Sequence, residues 1–324
     1  MPSAHAIRPS ALPFRCPVPP AFENRLPGWL PLSAIEEAAD RISGHIVRTP
    51  LLRTPSLGPD LWIKAESFQA TGAFKERGAL NRLLRLSAAE RTAGVIAMSA
   101  GNHAAGIALH AARLGARAVI VMPETAPRCK VERCLALGAE VILSGARVEE
   151  ARTRALEVAA ARGLTFIHPY DDPDVIAGQG TLGLELLDDL PELDTLVVPV
   201  GGGGLLAGVA AAVKALKPSV RVVGVRLARR AGPTLADGIA VAALGALARE
   251  AIGSLADALV EVEEAEVAAA VRALHGAGLV AEGAGAAATA AILAGKAEAE
   301  GRTVAVLSGR NVDSDRLART LLDS

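Results

Sequence analysis

The sequence predicts an α/β protein in which parallel sheets are covered by helices. Three observations carry that expectation. Short β-rich runs alternate with Ala- and Leu-rich helical runs. The joints between them are short, about two to six residues. Half of the residues (51%) are hydrophobic and 21% are charged, so a large core can form. Only 2% are aromatic, so that core is built from Ala, Val and Leu.

Taken in order, the first 31 residues hold eight of the 19 prolines and show neither helical nor strand period. This stretch, 1–31, reads as a flexible arm without the apolar run of a secretion signal. Order is expected from Ser33, where Ser33-Ala34-Ile35-Glu36 fits a capping box and Ile35, Ala38, Ala39 and Ile42 recur at helical spacing. Val95–Met98 reads as a strand, followed by a helix to Leu114 that Gly115 stops. Arg117–Met122 is a strand, Arg128–Leu137 a helix stopped by Gly138, and Val141–Leu143 a strand. Further strands are expected at Thr195–Val200, Arg221–Val225, Leu259–Val262 and Thr303–Leu307, with helices between them. Composition alone places no domain boundary.

A formal net charge of −1 provides no basic footprint for nucleic acid, and no charge block suggests a membrane surface. No window long enough to span a bilayer, about 18 residues, is free of charges or strand-like glycine breaks. Cys16, Cys129 and Cys134 follow no metal or redox spacing, which suits a reducing cytoplasm.

Four motifs bear chemistry. In Ser67–Ala79, Lys75 follows a Thr-Gly turn and precedes a helical run, Arg77 to Leu86. Gly72, Ala73 and Gly78 keep it close to backbone. Gly201-Gly202-Gly203-Gly204 lies between a strand and the helix Leu205–Leu216, where free N–H groups and the helix N-terminus form a phosphate cradle. The same stretch, Gly202-x-Gly204-x-x-Ala207, also fits a dinucleotide fingerprint, and Arg226 ends the next strand, so a nicotinamide oxidoreductase stands as an alternative. Ser99-Ala100-Gly101-Asn102-His103 joins a strand to a helix and suits a carboxylate, or is an ordinary cap. Ser308 ends the strand Thr303–Leu307, at the side of an open sheet where ligands bind, or simply begins a turn before Gly309. Glu282 opens a helix rich in small residues and serves the dipole there or lines a site.

Together these motifs resemble the fold-type II pyridoxal-phosphate (PLP) enzymes, in the branch of threonine and serine dehydratases and serine racemase. The likeness runs from about Leu32 to the C-terminus, with the motifs in family order. It implies two open, twisted, mainly parallel sheets flanked by helices, as in the tryptophan synthase β-subunit. A small domain, 94–170, is inserted in a larger cofactor-binding domain, 32–93 and 171–324, with no C-terminal regulatory domain. By resemblance Lys75 forms the Schiff base and removes the α-proton. Gly201, Gly202, Gly203, Gly204 and Leu205 hold the cofactor phosphate, and Asn102 touches the ring oxygen. Ser99, Ala100, Gly101, Asn102 and His103 take the substrate carboxylate. Ser308 faces the pyridine nitrogen and Glu282 lies near the ring.

The resemblance implies β-elimination of a small 3-hydroxy amino acid to a 2-oxo acid and ammonia, by a cytoplasmic homodimer or homotetramer. Threonine and serine are the default substrates. Hydroxyaspartate, phenylserine, a hydroxyectoine-derived compound and serine racemisation are the alternatives. Four departures from the family pattern stand out. Ala100 replaces the serine that racemases use as a second base, which favours elimination. Arg310 stands where glycine is usual and opens the identity of the substrate. Gly283 stands where proline is usual. Arg226, followed by Leu227-Ala228-Arg229-Arg230-Ala231, replaces a metal-ligating glutamate, so no metal is expected there.

Overall fold

The computed structural model describes residues 26–228 and 233–322. Ten strands form two sheets: β1 Leu51–Arg53, β2 Leu61–Ala65, β3 Val95–Met98, β4 Ala118–Met122, β5 Glu140–Leu143, β6 Thr165–Phe166, β7 Thr195–Pro199, β8 Arg221–Leu227, β9 Ala258–Val262 and β10 Thr303–Leu307. The six-stranded sheet has the order β1-β2-β10-β7-β8-β9 and the four-stranded sheet the order β5-β4-β3-β6. Only β1 and β2 pair antiparallel; every other pair among the described strands is parallel.

The parallel core explains the apolar runs. All five residues of β4, β7 and β10 are buried, as expected of strands covered by helices on both faces. Chain direction then does the rest. The carboxyl ends of β7 and β10 open into Gly201–Gly204 and Ser308-Gly309, and that of β3 opens into Ser99–Gly101.

Helix Lys75–Leu84 lies against helix Pro173–Asp189, and the crossing is close because glycines meet there. A Cβ on Gly178 would come within 2.7 Å of both the Arg77 carbonyl oxygen and the Gly78 Cα. The contact is locked by charge. Arg77 is fully buried and donates to Glu66 (2.8 Å) and Glu185 (2.7 Å). Burial disfavours its charge, but the two carboxylates outweigh that and hold its pKa above the ordinary range. Lys64 on β2, also fully buried, reaches Glu185 at 2.8 Å and the Thr49 carbonyl at 2.8 Å. This ion network seats the helix that begins with Lys75.

The structure differs from the expected elements in several places. Helix Leu32–Ile42 begins one residue before Ser33, with Pro31 as its N-cap and no side-chain capping bond. Pro31 has extended backbone and its carbonyl accepts from the Ala34 N–H, so the exposed Ser33 is left no capping role. Lys75 is the first residue of its helix rather than preceding it, and that helix ends at Leu84. Gly204, not Leu205, opens the helix that runs to Leu216. Of the stretch 1–31, residues 1–25 lie outside the described residues. Leu26 and Trp29 pack against the main apolar cluster, and Leu30 is buried within it. Cys16 and Arg229–Ala231 also fall outside the described residues.

Candidate active site

Lys75 is half-buried, and its amine donates to the Pro169 carbonyl at 2.8 Å. The amine sits 5.0 Å from the centre of the Phe74 ring. Burial lowers its pKa to about 8, so near neutral pH a usable fraction is the free amine. The segment before it is pinned to the end of β10. Ala73 bridges Gly309, and the Phe74 N–H donates to the Ser308 carbonyl at 3.1 Å. Ser308 is therefore a direct neighbour of the segment that leads into Lys75. It is buried, and its hydroxyl has only a long contact, 3.5 Å, to the Ala284 carbonyl.

The glycine loop closes the opposite side. Gly203 has φ of +93°, a left-handed backbone that favours glycine. A Cβ on Gly202 would run into the ring of Tyr170, and one on Gly204 would come within 2.7 Å of the Tyr170 carbonyl. Tyr170 thus packs directly on the loop, and helix Gly204–Leu216 adds its positive end. Leu205 is buried in the core behind the loop.

The asparagine loop meets Glu282 on the side of Ser308 and Gly309. Asn102 opens helix Asn102–Arg113 and donates to Glu282 at 2.6 Å. Glu282 caps helix Gly283–Leu293 and is almost fully buried. Burial raises its pKa to about 7, with the Asn102 hydrogen bond pulling the other way. A Cβ on Gly309 would collide with the Glu282 carboxylate, so glycine is needed there to admit it. Ser99 accepts from the Gly101 N–H at 3.1 Å, which shapes the turn. Ala100 packs partly against the apolar cluster beside β3 and β4.

His103 is 2% exposed, and its Nε2 lies 3.3 Å from the Ile167 carbonyl. Burial lowers its pKa to about 3, so the ring is neutral. Arg310 is exposed and lies over Gly72, pointing outward. Arg226 stands on β8 opposite Glu261 of β9. Among the described residues no cluster of three or more His, Cys, Asp or Glu is placed to hold a metal ion.

Lys75, Asn102, Gly201–Gly204, Glu282 and Ser308 thus converge, although more than 200 residues separate the first from the last. Four residues that border these groups are given no role by the sequence reading: Pro169, Tyr170, Asn311 and Arg133. Tyr170 has a signal, as the only tyrosine in an aromatic-poor chain, and Asn311 stands three residues after Ser308. Arg133 acts through distant polar partners and has none.

Comparison with known proteins decides the family. Residues 42–309 match the model of the family described as "Pyridoxal-phosphate dependent enzyme". The chain belongs to this family. Its cofactor is pyridoxal 5′-phosphate, and the nicotinamide alternative falls with that assignment. The L-threonine ammonia-lyase of Thermotoga maritima is 44% identical over 312 residues, 90% of this chain and 78% of that protein. A processed threonine deaminase isoform from Solanum lycopersicum superposes with a TM-score of 0.83 at 36% identity, covering 90% of this chain and 92% of that one. Maize serine racemase superposes with a TM-score of 0.85 at 33% identity, covering 90% and 97%. The residues present fit the cofactor: a half-buried amine with a lowered pKa is held at Pro169, next to the Tyr170 against which Gly202 and Gly204 pack without a Cβ.

Proposed function

We propose that this protein is an ammonia-lyase that dehydrates and deaminates threonine, with serine as a second substrate. The carrying observation is the placement of the Lys75 amine, 2.8 Å from the Pro169 carbonyl on a segment pinned to Ser308 and Gly309, with burial lowering its pKa toward neutrality. The 44% identity to an L-threonine ammonia-lyase supports the choice of threonine. Bound PLP supplies an electron sink for the α-carbon. The chain does the remainder. The Gly201–Gly204 loop anchors the phosphate, Asn102 and Ser308 orient the ring, and Glu282 borders it. The Ser99–His103 turn presents N–H groups to the substrate carboxylate. Lys75 takes the α-proton, and the β-hydroxyl departs with a proton as water. The resulting enamine tautomerises to an imine, which regains water and releases ammonia and the 2-oxo acid. Arg310 is exposed, with its side chain over Gly72.

The two sheets are proposed as the cores of a small domain, 94–170, and a large domain, 32–93 with 171–324. A cytoplasmic location is supported by Cys129 and Cys134, both free. Among the described residues no helix is long and apolar enough to cross a membrane. Assembly as a homodimer or homotetramer is proposed with them; Phe68, 48% exposed beside the lysine motif, offers apolar surface to a second copy.

The test is a panel of threonine, serine, 3-hydroxyaspartate and 3-phenylserine as separate stereoisomers, scored for 2-oxo acid and ammonia. L-Threonine should be turned over best. A clear preference for 3-hydroxyaspartate would overturn the substrate assignment. Lys75→Ala should abolish turnover in a folded protein, and borohydride should label Lys75 in the wild type. Labelling of another lysine would remove Lys75 from its role.

A further inference from the structure

A polar chain runs from the four-stranded sheet's helix layer into the site. Arg133, on helix Arg128–Ala136, donates through Nη1 to Asn311 Oδ1 at 2.7 Å and through Nη2 to the Thr71 carbonyl at 2.7 Å. Asn311 Nδ2 donates to the same Thr71 carbonyl at 2.8 Å and to Asn102 Oδ1 at 2.7 Å. Asn102 Nδ2 then donates to Glu282 at 2.6 Å. The direction of this chain is determined from its outer end. Arginine only donates and a backbone carbonyl only accepts, so Asn311 has one permitted orientation. Its N–H faces Asn102, which must accept there and therefore donate toward Glu282. The opposite orientation of Asn102 would place two NH2 groups against each other.

We propose that Arg133 is a positioning residue for the reaction: by fixing the amide of Asn311 it sets the polarity of Asn102, which then always offers N–H to Glu282 and to the bound ring. The proposal rests on the assignment of Asn102 and Glu282 to the PLP site made above. Its consequence concerns Glu282. A donor held against a carboxylate favours the ionised form. Of the charges around Glu282, Asp237 opposes ionisation, while Lys130 and Arg133 favour it, Lys130 pairing with Asp237 at 3.2 Å. Arg316, 4.0 Å from Asp237, and Asp313 border the same cleft.

The experiment compares Asn311→Asp, Arg133→Met and Arg133→Lys in the holoenzyme. Aspartate at 311 can still pair with Arg133 but has no N–H for Asn102, which must turn over and present its oxygen to a protonated Glu282. Both Asn311→Asp and Arg133→Met should move the pH dependence of the cofactor's visible absorption band, and the acid limb of kcat/KM, upward by about one pH unit, a tenfold change in proton affinity. Arg133→Lys keeps a donor at that end and should recover most of the wild-type profile. If Asn311→Asp and Arg133→Met alter only the unfolding temperature and leave both pH profiles in place, Arg133 is a brace and the proposal fails. A wild type with no cofactor band, or with a band but no elimination, would instead overturn the parent assignment.

Discussion

The two walls of the site are built on different physics. The glycine wall works by what is missing: no side chain at Gly202 or Gly204, and so room for Tyr170 to pack on the loop. The asparagine wall works by what is paired: Arg133, Asn311, Asn102 and Glu282 in a directed chain, with Lys75 held by the Pro169 carbonyl. Steric walls fail abruptly when an atom is added. Polar walls fail by degrees, because losing one bond reorients the next. One wall is shaped by close packing and the other by hydrogen bonds, while burial shifts the protonation of both Lys75 and Glu282.

The sharpest way to break this contrast is Gly202→Ala. The new methyl would overlap the Tyr170 ring, and either the ring or the loop must move. Overpacking of this kind costs about 1–3 kcal/mol. Cofactor affinity should fall by about tenfold or more, since 1.4 kcal/mol is a factor of ten. Adding Tyr170→Ala removes the obstructing ring and should restore most of the affinity. Equilibrium dialysis of PLP against the two variants measures this. Unchanged affinity in the single variant would show that the loop is not a sterically tuned cradle.

The difference between the walls also explains what could be read in the sequence. Gly201–Gly204 and Ser67–Ala79 were legible because each packs its chemistry into one short stretch. β7 and β10 were legible because burial on both faces leaves an unbroken apolar run. β2 was not, since Lys64 sits in its middle and only the distant Glu185 and Asp189 make that burial tolerable. Arg133 and Asn311 are 178 residues apart, and nothing local marks either as a partner of the other. The Ser33 capping box had the right residues, but Pro31 began the helix first.

A smaller effect sharpens the polar side. Glu282 has a pKa near 7 when folded, above the ordinary carboxylate value of 4.5. Below the unfolded value both states are protonated, and the folded state keeps its full share of stability. As pH rises from about 4.5 through about 7, the unfolded chain has already lost its proton while the folded one still holds it. This residue's contribution to stability therefore declines across that window. Glu282→Gln removes the titration. The unfolding midpoint of the cofactor-free variant, relative to wild type, should rise steadily from pH 5 to pH 7. A constant difference across that range would mean that Glu282 is ionised throughout, and that burial does not raise its pKa.

The smallest expected effect lies at Ala100, where the two walls meet the open face of the substrate. A methyl group cannot carry a proton, so Lys75 is left to work from one face alone. The wild type should release 2-oxo acid with almost no inverted amino acid. Ala100→Ser introduces a hydroxyl, but its surroundings on that side are the apolar cluster of Ala104, Ile107 and their neighbours, which offers no group to lower its pKa. Racemisation should therefore appear only as a minor product, far slower than elimination. The measurement follows both products by chiral chromatography in deuterated water, where inversion leaves deuterium at the α-carbon. Inverted, α-deuterated substrate forming in the wild type as fast as oxo acid would reveal a second base. It would also show that the asparagine wall delivers protons as well as orienting groups, and the division of labour between the two walls would have to be redrawn.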